Sequence, residues 1–295
     1  MTQTYRPMAA ALWMTGSIAS FSAMAVAGRA VAAVHDTFEI MTWRSATGIL
    51  IVTIVALVTG RFSEVKTTHL TRHLARNLFH FAGQNLWFFA LTVIPLAQVF
   101  ALEFTSPIWV IALSAVFLGE RITGAKGLAA ALGFGGIVIV ARPDFAHLDV
   151  GVLAAAASAV CFAGTMILTK ALTRQESIVS IMFWLTLMQL FMGLATAGHD
   201  GAITLPTAQT APWLILIGCA GLLAHFCLTT ALSLAPASIV GPIDFARLPV
   251  IVLVGLLVYQ EPLQATVALG AALILAGNWI NIRASNKTAQ AQQTR

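Results

Sequence analysis

The sequence predicts an all-α integral membrane protein with ten transmembrane helices, arranged as two inverted repeats of five. Three observations support this fold class. Hydrophobic residues make up 59% of the 295 residues and charged residues only 9%, whereas a soluble domain carries about 25% charged residues. Apolar runs of about 20 residues, the length that crosses the hydrocarbon core, recur along the chain. The two halves of the chain also resemble each other in sequence.

Ten apolar runs are predicted to span the membrane, at about residues 8–28, 38–58, 76–94, 97–118, 124–141, 150–169, 178–197, 211–232, 236–258 and 264–282. Pro95 and Pro236 separate two pairs of runs, and because proline cannot continue a helix cleanly, both places are predicted to be tight hairpin turns. The first run resembles a cleavable signal segment, but its counterpart in the second half favours a mature helix. The polar residues 284–295 are expected to form a disordered cytoplasmic tail.

An internal repeat appears when the sequence is shifted by 141 residues without gaps. Gly127–Arg142 aligned with Ala268–Arg283 gives seven identities in sixteen positions, and Glu103 falls on Asp244. The repeats cover residues 8–142 and 150–283. Each holds five spans, an odd number, so the second is predicted to cross the membrane in the opposite sense. Inverted repeats are a construction shared by many secondary transporters.

The distribution of basic residues predicts the orientation. With the amino terminus in the cytoplasm, twelve of the sixteen Lys and Arg residues lie on the cytoplasmic side, Arg76 among them, and only Arg29 and Arg142 lie outside. This positive-inside bias predicts a cell inner membrane protein with both termini in the cytoplasm. The net charge of +5 is spread along the chain, which favours lipid rather than nucleic acid as the partner.

Four charged residues lie well inside predicted spans: Arg44, Glu103, Asp244 and Arg247. Each costs about 2.5–3.5 kcal/mol at a helix centre, so each should face the bundle interior or a wet cavity. Arg44 and Glu103 lie at the same depth of about 9 Å and are predicted to face each other near the outer side. Asp244 and Arg247, three residues apart, should share a helix face nearer the inner side. They either contact a polar solute or form buried ion pairs that hold helices together.

Further candidates for a cavity are polar and aromatic residues near mid-membrane. Gln84, Asn85 and Trp87 lie on the third span, and His225 on the eighth overlays Gln84 in the repeat. His225 has two interpretations of equal weight, a proton carrier or a packing residue inside the span. Glu120 and Glu261 end their spans and are interpreted as boundary residues.

Other features have structural interpretations. Cys161, Cys219 and Cys227 each lie in an apolar run, which argues against a disulfide framework. His69 and His73 lack a third ligand for a metal, so no metal site is predicted. No nucleotide-binding loop occurs, and no cofactor is expected. Small residues four apart on spans five and ten predict packing faces, either with each other or at a homodimer contact; they are Gly127, Ala131, Gly135, Ala268, Ala272 and Ala276.

The chain resembles the drug/metabolite transporter superfamily, in particular the branch built from paired EamA domains. The resemblance covers residues 8–283 and rests on a proline hairpin before the fourth helix of each half and a Gly-Glu or Gln-Glu stop after it. The stretches are Leu91–Pro95, Phe104-Thr105-Ser106-Pro107, Phe117–Ile122, Ser233–Pro236 and Tyr259-Gln260-Glu261-Pro262.

The resemblance implies a ten-helix carrier with a central cavity between the halves, working without ATP. Members move amino acids, vitamins such as riboflavin, S-adenosylmethionine or drug-like compounds. A secondary-active transporter of a small polar organic metabolite is therefore the expected function, with a non-transporting scaffold or an intramembrane enzyme as the alternatives. No convincing nucleophile–base or metal set lies within the spans. The charges on the ninth span depart from the common pattern of the family and favour a polar or zwitterionic solute.

Overall fold

The computed structural model describes residues 6–118, 123–141, 149–172, 175–199, 201–234, 240 and 243–293. Over these residues the protein is all-helical, with eleven α-helices and one short 3-10 turn, Phe62–Val65. The α-helices are α1 (Pro7–Val31), α2 (Thr37–Val58), α3 (Leu70–Val93), α4 (Leu96–Glu103), α5 (Ser106–Leu118), α6 (Gly124–Ala141), α7 (Val150–Leu172), α8 (Ile178–Ala197), α9 (Ala211–Leu234), α10 (Arg247–Val258) and α11 (Ala265–Gln293).

Seven helical segments in the described ranges are long and apolar enough to cross a membrane. One of them, Leu96–Leu113, runs through the junction of α4 and α5, while α6 and α10 are shorter apolar helices. Helix α3 has the length but carries more polar residues. Large aliphatic and aromatic side chains cover the exterior of the bundle, as expected for a surface that faces lipid.

The predicted fourth span is broken in the middle, at Phe104 and Thr105. Pro107 causes the break, because it lacks the N–H that would bond to the carbonyl of Glu103 four residues earlier. The hydroxyl of Ser106 donates to that carbonyl instead, at 2.6 Å. The side chain of Asn278, on α11, donates to the carbonyl of Phe104 at 2.7 Å. Side chains thus satisfy the backbone groups that the break exposes, as a membrane interior requires.

The predicted ninth span is broken at the matching place. Turn residues Phe245 and Ala246 precede α10, and the 141-residue shift places them on Phe104 and Thr105. Pro249 again follows, four residues after Phe245, and withholds a helix hydrogen bond. Each half of the chain therefore has a discontinuous helix, and the intramembrane charges Glu103, Asp244 and Arg247 lie directly beside the two breaks.

The most extensive helix contacts join one half of the chain to the other. Helix α1 packs on α9, α2 on α8, α3 on α7 and α6 on α11, each pair taking one helix from each half. Helix ends alternate between two sides of the bundle: the N–H of Arg6 donates to the carbonyl of Leu234 on one side, whereas Arg29 pairs with Glu261 on the other. The largest of three hydrophobic clusters in the described residues contains Trp87, Phe88 and Phe100 and extends across both halves.

Helices α6 and α11 pack together, but not through the small residues that the sequence suggested. A Cβ on Gly136 would lie 2.7 Å from the carbonyl of Gly270, and a Cβ on Gly277 would lie 2.6 Å from that of Ala129. The two backbones are therefore in direct contact along this face. Ala131 and the predicted residues of α11, Ala268, Ala272 and Ala276, are exposed. The prediction that the two stripes pack on each other is wrong, because both helices carry a second set of small residues that faces inward.

Two helix ends differ from the sequence prediction. Helix α3 begins at Leu70 rather than near residue 76, so Arg76 is buried two turns inside the helix instead of lying at the membrane boundary. Helix α11 continues to Gln293 through residues predicted to be a disordered tail. That segment is rich in Ala and Gln and contains no Gly or Pro, which favours helix continuation. The three cysteines are free, as the sequence predicts.

Candidate functional site

Three of the four predicted intramembrane charges form one cluster between the two broken helices. Glu103 is the last residue of α4 and Arg247 the first of α10. The Nη2 atom of Arg247 lies 3.0 Å from Oε1 of Glu103 and 3.2 Å from Oδ2 of Asp244. Asp244 and Arg247, predicted to share a helix face, instead lie on either side of the break at Phe245 and Ala246, and their side chains meet across it. We call these three residues the carboxylate cluster; with two carboxylates and one guanidinium, its formal charge is −1.

Aromatic rings enclose the carboxylate cluster. The guanidinium carbon of Arg247 lies 4.7, 5.3 and 5.0 Å from the ring centres of Phe21, Phe100 and Phe104. The indole N–H of Trp87 donates to Oε2 of Glu103 at 2.8 Å, so both carboxylate oxygens of Glu103 have partners. Cation–π contacts are worth about 0.5–1 kcal/mol at exposed sites and about 2 kcal/mol or more when desolvated, and here they add to the ion pairs. The structure thus places the predicted residue Trp87 in the site.

Arg44 does not pair with Glu103, and that prediction is wrong. The guanidinium of Arg44 donates to Oε1 of Gln84 at 2.7 Å and to Oε1 of Gln189 at 3.3 Å. Equal depth along two helices does not fix which way the side chains face. Helix α2 packs mainly on α8 and α9, whereas α4 packs on α7 and α10. Glu103 instead meets Arg247, which the sequence had placed nearer the other side.

A small cavity lies beside Arg44, between the two halves of the chain. Its volume is about 10 Å³, room for about one water molecule. Gln189 of α8 and His225 of α9 line it together with Gly221. A Cβ on Gly221 would lie 2.8 Å from Nε of Arg44, so the absence of a side chain there lets the guanidinium lie against α9. The described conformation is closed around this point.

Arg76 and His80 extend the site and were missed as site residues from the sequence. Both are buried on α3, and Arg76 donates to Oγ1 of Thr169 at 3.1 Å and to Oδ1 of Asn77 at 3.0 Å. The imidazole rings of His80 and His225 are 5.3 Å apart. Arg76, His80 and Gln84 follow one another at four-residue spacing, which places them on one face of α3. This spacing could have identified Arg76 and His80 as site residues. It was missed because the predicted third span began at residue 76, which placed Arg76 at the membrane boundary.

The remaining predicted residues line the same region. His225 contacts the ring of Phe21 edge to face at 5.5 Å, so it lies between the Arg44 cavity and the aromatic wall of Arg247. Asn85 is buried, and its amide donates to the carbonyl of Phe81 at 2.8 Å within α3. Its Oδ1 atom accepts no hydrogen bond from the described residues. Seven helices, α1 to α4 and α8 to α10, therefore carry the predicted candidates other than Asp244 or residues that they contact.

Polar contacts close the side of the bundle where α1 begins. Glu176, between α7 and α8, accepts a hydrogen bond from Thr67 and lies 3.1 Å from Nδ1 of His69 and 4.0 Å from Nε2 of His73. Burial would raise the pKa of Glu176, but hydrogen bonds from Thr67, His69 and Ser180 outweigh it and lower the pKa. The carboxylate is therefore charged at neutral pH. Among the described residues, no group of three or more His, Cys, Asp and Glu side chains is arranged to hold a metal ion.

Equivalent contacts close the opposite side. Nε2 of His35 lies 3.0 Å from Oγ1 of Thr210, and the carboxylate of Glu39 accepts the backbone N–H of Thr204. Under the 141-residue shift His35 falls on Glu176 and Thr210 falls on His69. The two closures thus use repeat-related positions on opposite sides of the bundle. Neither was predicted, because the contacts join segments that are far apart in the chain.

Glu261, interpreted from the sequence as a boundary residue, also contacts the first half of the chain. Its carboxylate pairs with Arg29 of α1 and accepts the backbone N–H of Leu96 at 2.9 Å. Arg29 also donates to the carbonyls of Leu91 and Ile94, at 2.6 and 2.7 Å. The boundary residue therefore ties the second half of the chain to the hairpin between α3 and α4. Its counterpart Glu120 lies outside the described residues.

Three features place the protein in the class of multi-pass membrane transporters: apolar spans, paired discontinuous helices, and buried charges between the two halves. Comparison with known proteins gives the family. The model of the EamA-like transporter family matches the chain twice, at residues 8–142 and 149–283. The protein belongs to this family, and hence to the drug/metabolite transporter superfamily.

Relatives and a solved structure agree with this assignment. The chain is 34% identical to a riboflavin transporter of Brucella anthropi over 82% of this chain and 86% of the relative. It is 24% identical to an S-adenosylmethionine uptake transporter of Rickettsia conorii, over 89% and 88% of the two chains. A solved structure with 18% identity covers 95% of this chain and 98% of its own, with a TM-score of 0.66, and shows that the fold is shared.

Proposed function

We propose that this transporter moves a small polar organic metabolite across the cytoplasmic membrane by alternating access, with ten spans and both termini in the cytoplasm. Relatives are named as transporters of riboflavin and of S-adenosylmethionine. Both names denote polar compounds with a nitrogen heterocycle. Riboflavin is the first substrate to test, because the relative with that name is 34% identical. A homodimer stays a prediction.

The observation that carries the proposal is the line of buried polar side chains between the two halves. It runs from Glu176 past Arg76 and Arg44 to Glu103 and Arg247. Buried ionisable groups are expensive inside a membrane and mark solute or ion paths by default. Discontinuous helices at the repeat interface are where secondary transporters bind their solutes. Closing contacts at both ends leave a cavity of about 10 Å³, which supports a closed state between two open ones.

The proposal is tested by uptake of radiolabelled riboflavin and S-adenosylmethionine into proteoliposomes that contain the purified protein, with and without a pH gradient. Saturable uptake of one compound above that of empty liposomes is the expected result. Arg44→Ala and Glu103→Ala should each reduce uptake at least about tenfold, the effect of losing about 1.4 kcal/mol, with unchanged protein in the liposomes. Normal uptake by both variants would mean that the buried charges only hold helices together.

A further inference from the structure

Two of the buried arginines have no acidic partner among the residues that the structure describes. Arg44 and Arg76 are 6% and 3% exposed, and their hydrogen bonds go to neutral oxygen atoms of Gln84, Gln189, Thr169 and Asn77. Within the described ranges, neither guanidinium lies within 4.0 Å of a carboxylate. Arg247, equally buried, contacts two. In the described part of the chain, carboxylates therefore neutralise one buried arginine, Arg247, whereas Arg44 and Arg76 keep positive charges that repel each other.

The sequence offers few other acids to neutralise them. Of eleven acidic residues, only Glu39, Glu103 and Asp244 lie within predicted spans, and each has other partners. Glu39 accepts the N–H groups of Thr204 and Asp36 and lies 3.3 Å from His35. Glu103 and Asp244 both pair with Arg247.

The two arginines belong to one group of donors, the donor cluster, which consists of Arg44, Arg76, His80, Gln84 and Gln189. Gln84 joins Arg44 to the face of α3 that carries Arg76 and His80. Several polar atoms of this cluster have no hydrogen-bond partner among the described residues: Nε of Arg44, Nε2 of Gln189 and both ring nitrogens of His80. Arg44 and Gln189 line the cavity between the halves. Buried donors without acceptors require an explanation, and a bound ion or solute group that supplies the acceptors is one such explanation.

An anionic group fits this chemistry best. A guanidinium is always charged and presents a planar fork of N–H donors that matches the oxygens of a carboxylate or a phosphate. Two such groups in a low-dielectric interior repel each other, and an anion between them converts the repulsion into attraction. Gly48, Gly218 and Gly221 line the cavity beside Arg44, so α2 and α9 contribute no side chain there at these three positions.

We propose that the donor cluster binds an anionic oxygen group of the transported solute, a carboxylate or a phosphate, through Arg44 and Arg76. This inference rests on the proposed function and narrows it: the preferred solute is an acidic metabolite. The carboxylate cluster, with its excess negative charge, lies on the other side of His225 and suits a neutral or cationic part of the same solute. Charge along the path thus sets the orientation in which the solute binds.

Riboflavin and flavin mononucleotide are a matched pair of probes, because they differ by a single phosphate. Their dissociation constants for the purified full-length protein are measured by flavin fluorescence. Flavin mononucleotide should bind at least about tenfold more tightly than riboflavin, because one charge-assisted hydrogen bond to its phosphate contributes about 1.4 kcal/mol. Arg76→Gln should bring the ratio of the two constants close to one, whereas Arg76→Lys, which keeps the charge, should retain part of it. A wild-type ratio of one would overturn the proposal.

A second measurement does not depend on flavins. Inorganic phosphate should raise the melting temperature of the wild-type protein and not that of Arg76→Gln; no effect on the wild type, or equal effects on both, overturns the proposal. Flavin mononucleotide or S-adenosylmethionine should remove this effect by competition. If neither competes, the site holds a free anion rather than a solute group, and the proposal fails. If riboflavin or S-adenosylmethionine is taken up but flavin mononucleotide binds no more tightly than riboflavin, the inference fails and the proposed function stands. If flavin mononucleotide binds more tightly but neither compound is taken up, the substrate assignment fails instead.

Discussion

At the scale of single residues, the charges in the membrane differ in how they are compensated. Arg247 has two carboxylates and three aromatic rings around it, whereas the side-chain hydrogen bonds of Arg44 within the described residues go to amide oxygens. Removing one member of a buried ion pair leaves an uncompensated charge, which is much more costly than removing the whole group. The two arginines should therefore respond differently to substitution.

Arg247→Met should destabilise the protein by up to about 3–5 kcal/mol, the cost for a fully buried pair, because the partly buried Glu103 and Asp244 then lose their counter-charge. The triple variant Glu103→Gln, Asp244→Asn, Arg247→Met should recover most of this loss. Thermal unfolding in detergent measures both effects. A triple variant as unstable as the single one would show that Arg247 acts through its contacts with the rings rather than through charge.

Gly221→Ala should impair transport at least about tenfold, a loss of about 1.4 kcal/mol, while the protein still folds. The new Cβ would lie 2.8 Å from Nε of Arg44, so the guanidinium must move. Gly135→Ala is the matched control, because no atom lies within 4 Å of a Cβ there. Uptake into proteoliposomes and melting temperature are measured for both variants. Equal uptake by both would show that the position of Arg44 does not matter.

At the scale of helices, close packing depends on which face carries the small residues. Helices α6 and α11 each carry small residues on two faces, an outward set at four-residue spacing and an inward set that includes Gly136 on α6 and Gly270 and Gly277 on α11. The regular outward set was recognised from the sequence, whereas the inward one was missed. The inward set includes Gly136 and Gly270, where a Cβ on either would lie 2.7 Å from the other's carbonyl oxygen. The outward set includes Ala272, which is exposed.

Gly270→Val should therefore lower stability by about 1–3 kcal/mol, the usual cost of overpacking, whereas Ala272→Val should change it by no more than about 0.5 kcal/mol, as surface substitutions do. Melting temperatures of the two variants test this. A large loss for Ala272→Val would indicate that the outward stripe is buried against another molecule, as in the homodimer that the sequence suggested.

At the scale of the whole molecule, repeat-related contacts close both sides of the bundle at once. The Glu176 closure joins the segment before α3 to the loop before α8, and the His35 closure joins the segment before α2 to the segment before α9. Each therefore links the two halves of the chain. Opening one side requires its closure to break while the other is kept, and so the proposed transport cycle predicts alternating loss of the two contacts.

The closure at Glu176 should depend on pH in one direction. Its pKa is lowered on folding, so the stabilisation is complete above the ordinary value of 4.5 and is lost as the pH falls through the lowered value. The stability difference between the wild type and Glu176→Gln should hold at neutral pH and shrink only in acid. Glu64→Gln, in the exposed pair with Arg61, is the control. A difference that stays unchanged in acid would show that the charge of Glu176 does not stabilise this closure.

The sequence by itself determined the membrane class, the two homologous halves and the family. These follow from hydropathy, the 141-residue repeat and the proline motifs, all of which are local or periodic along the chain. It also located most of the buried polar residues, since a charge inside an apolar run is visible without a structure. Pro107 and Pro249 were visible in the same way, although the helix breaks they cause were not predicted.

Only the tertiary structure decided which side chains meet. Arg44 lies with Gln189 and Glu103 with Arg247 because the helices of one half pack against those of the other, and the rotation of each helix about its axis fixes the pairs. Depth along a span is encoded by residue count, but rotation depends on the packing of every neighbouring helix. For the same reason the sequence placed Arg76 at the boundary, whereas the fold buries it beside His80.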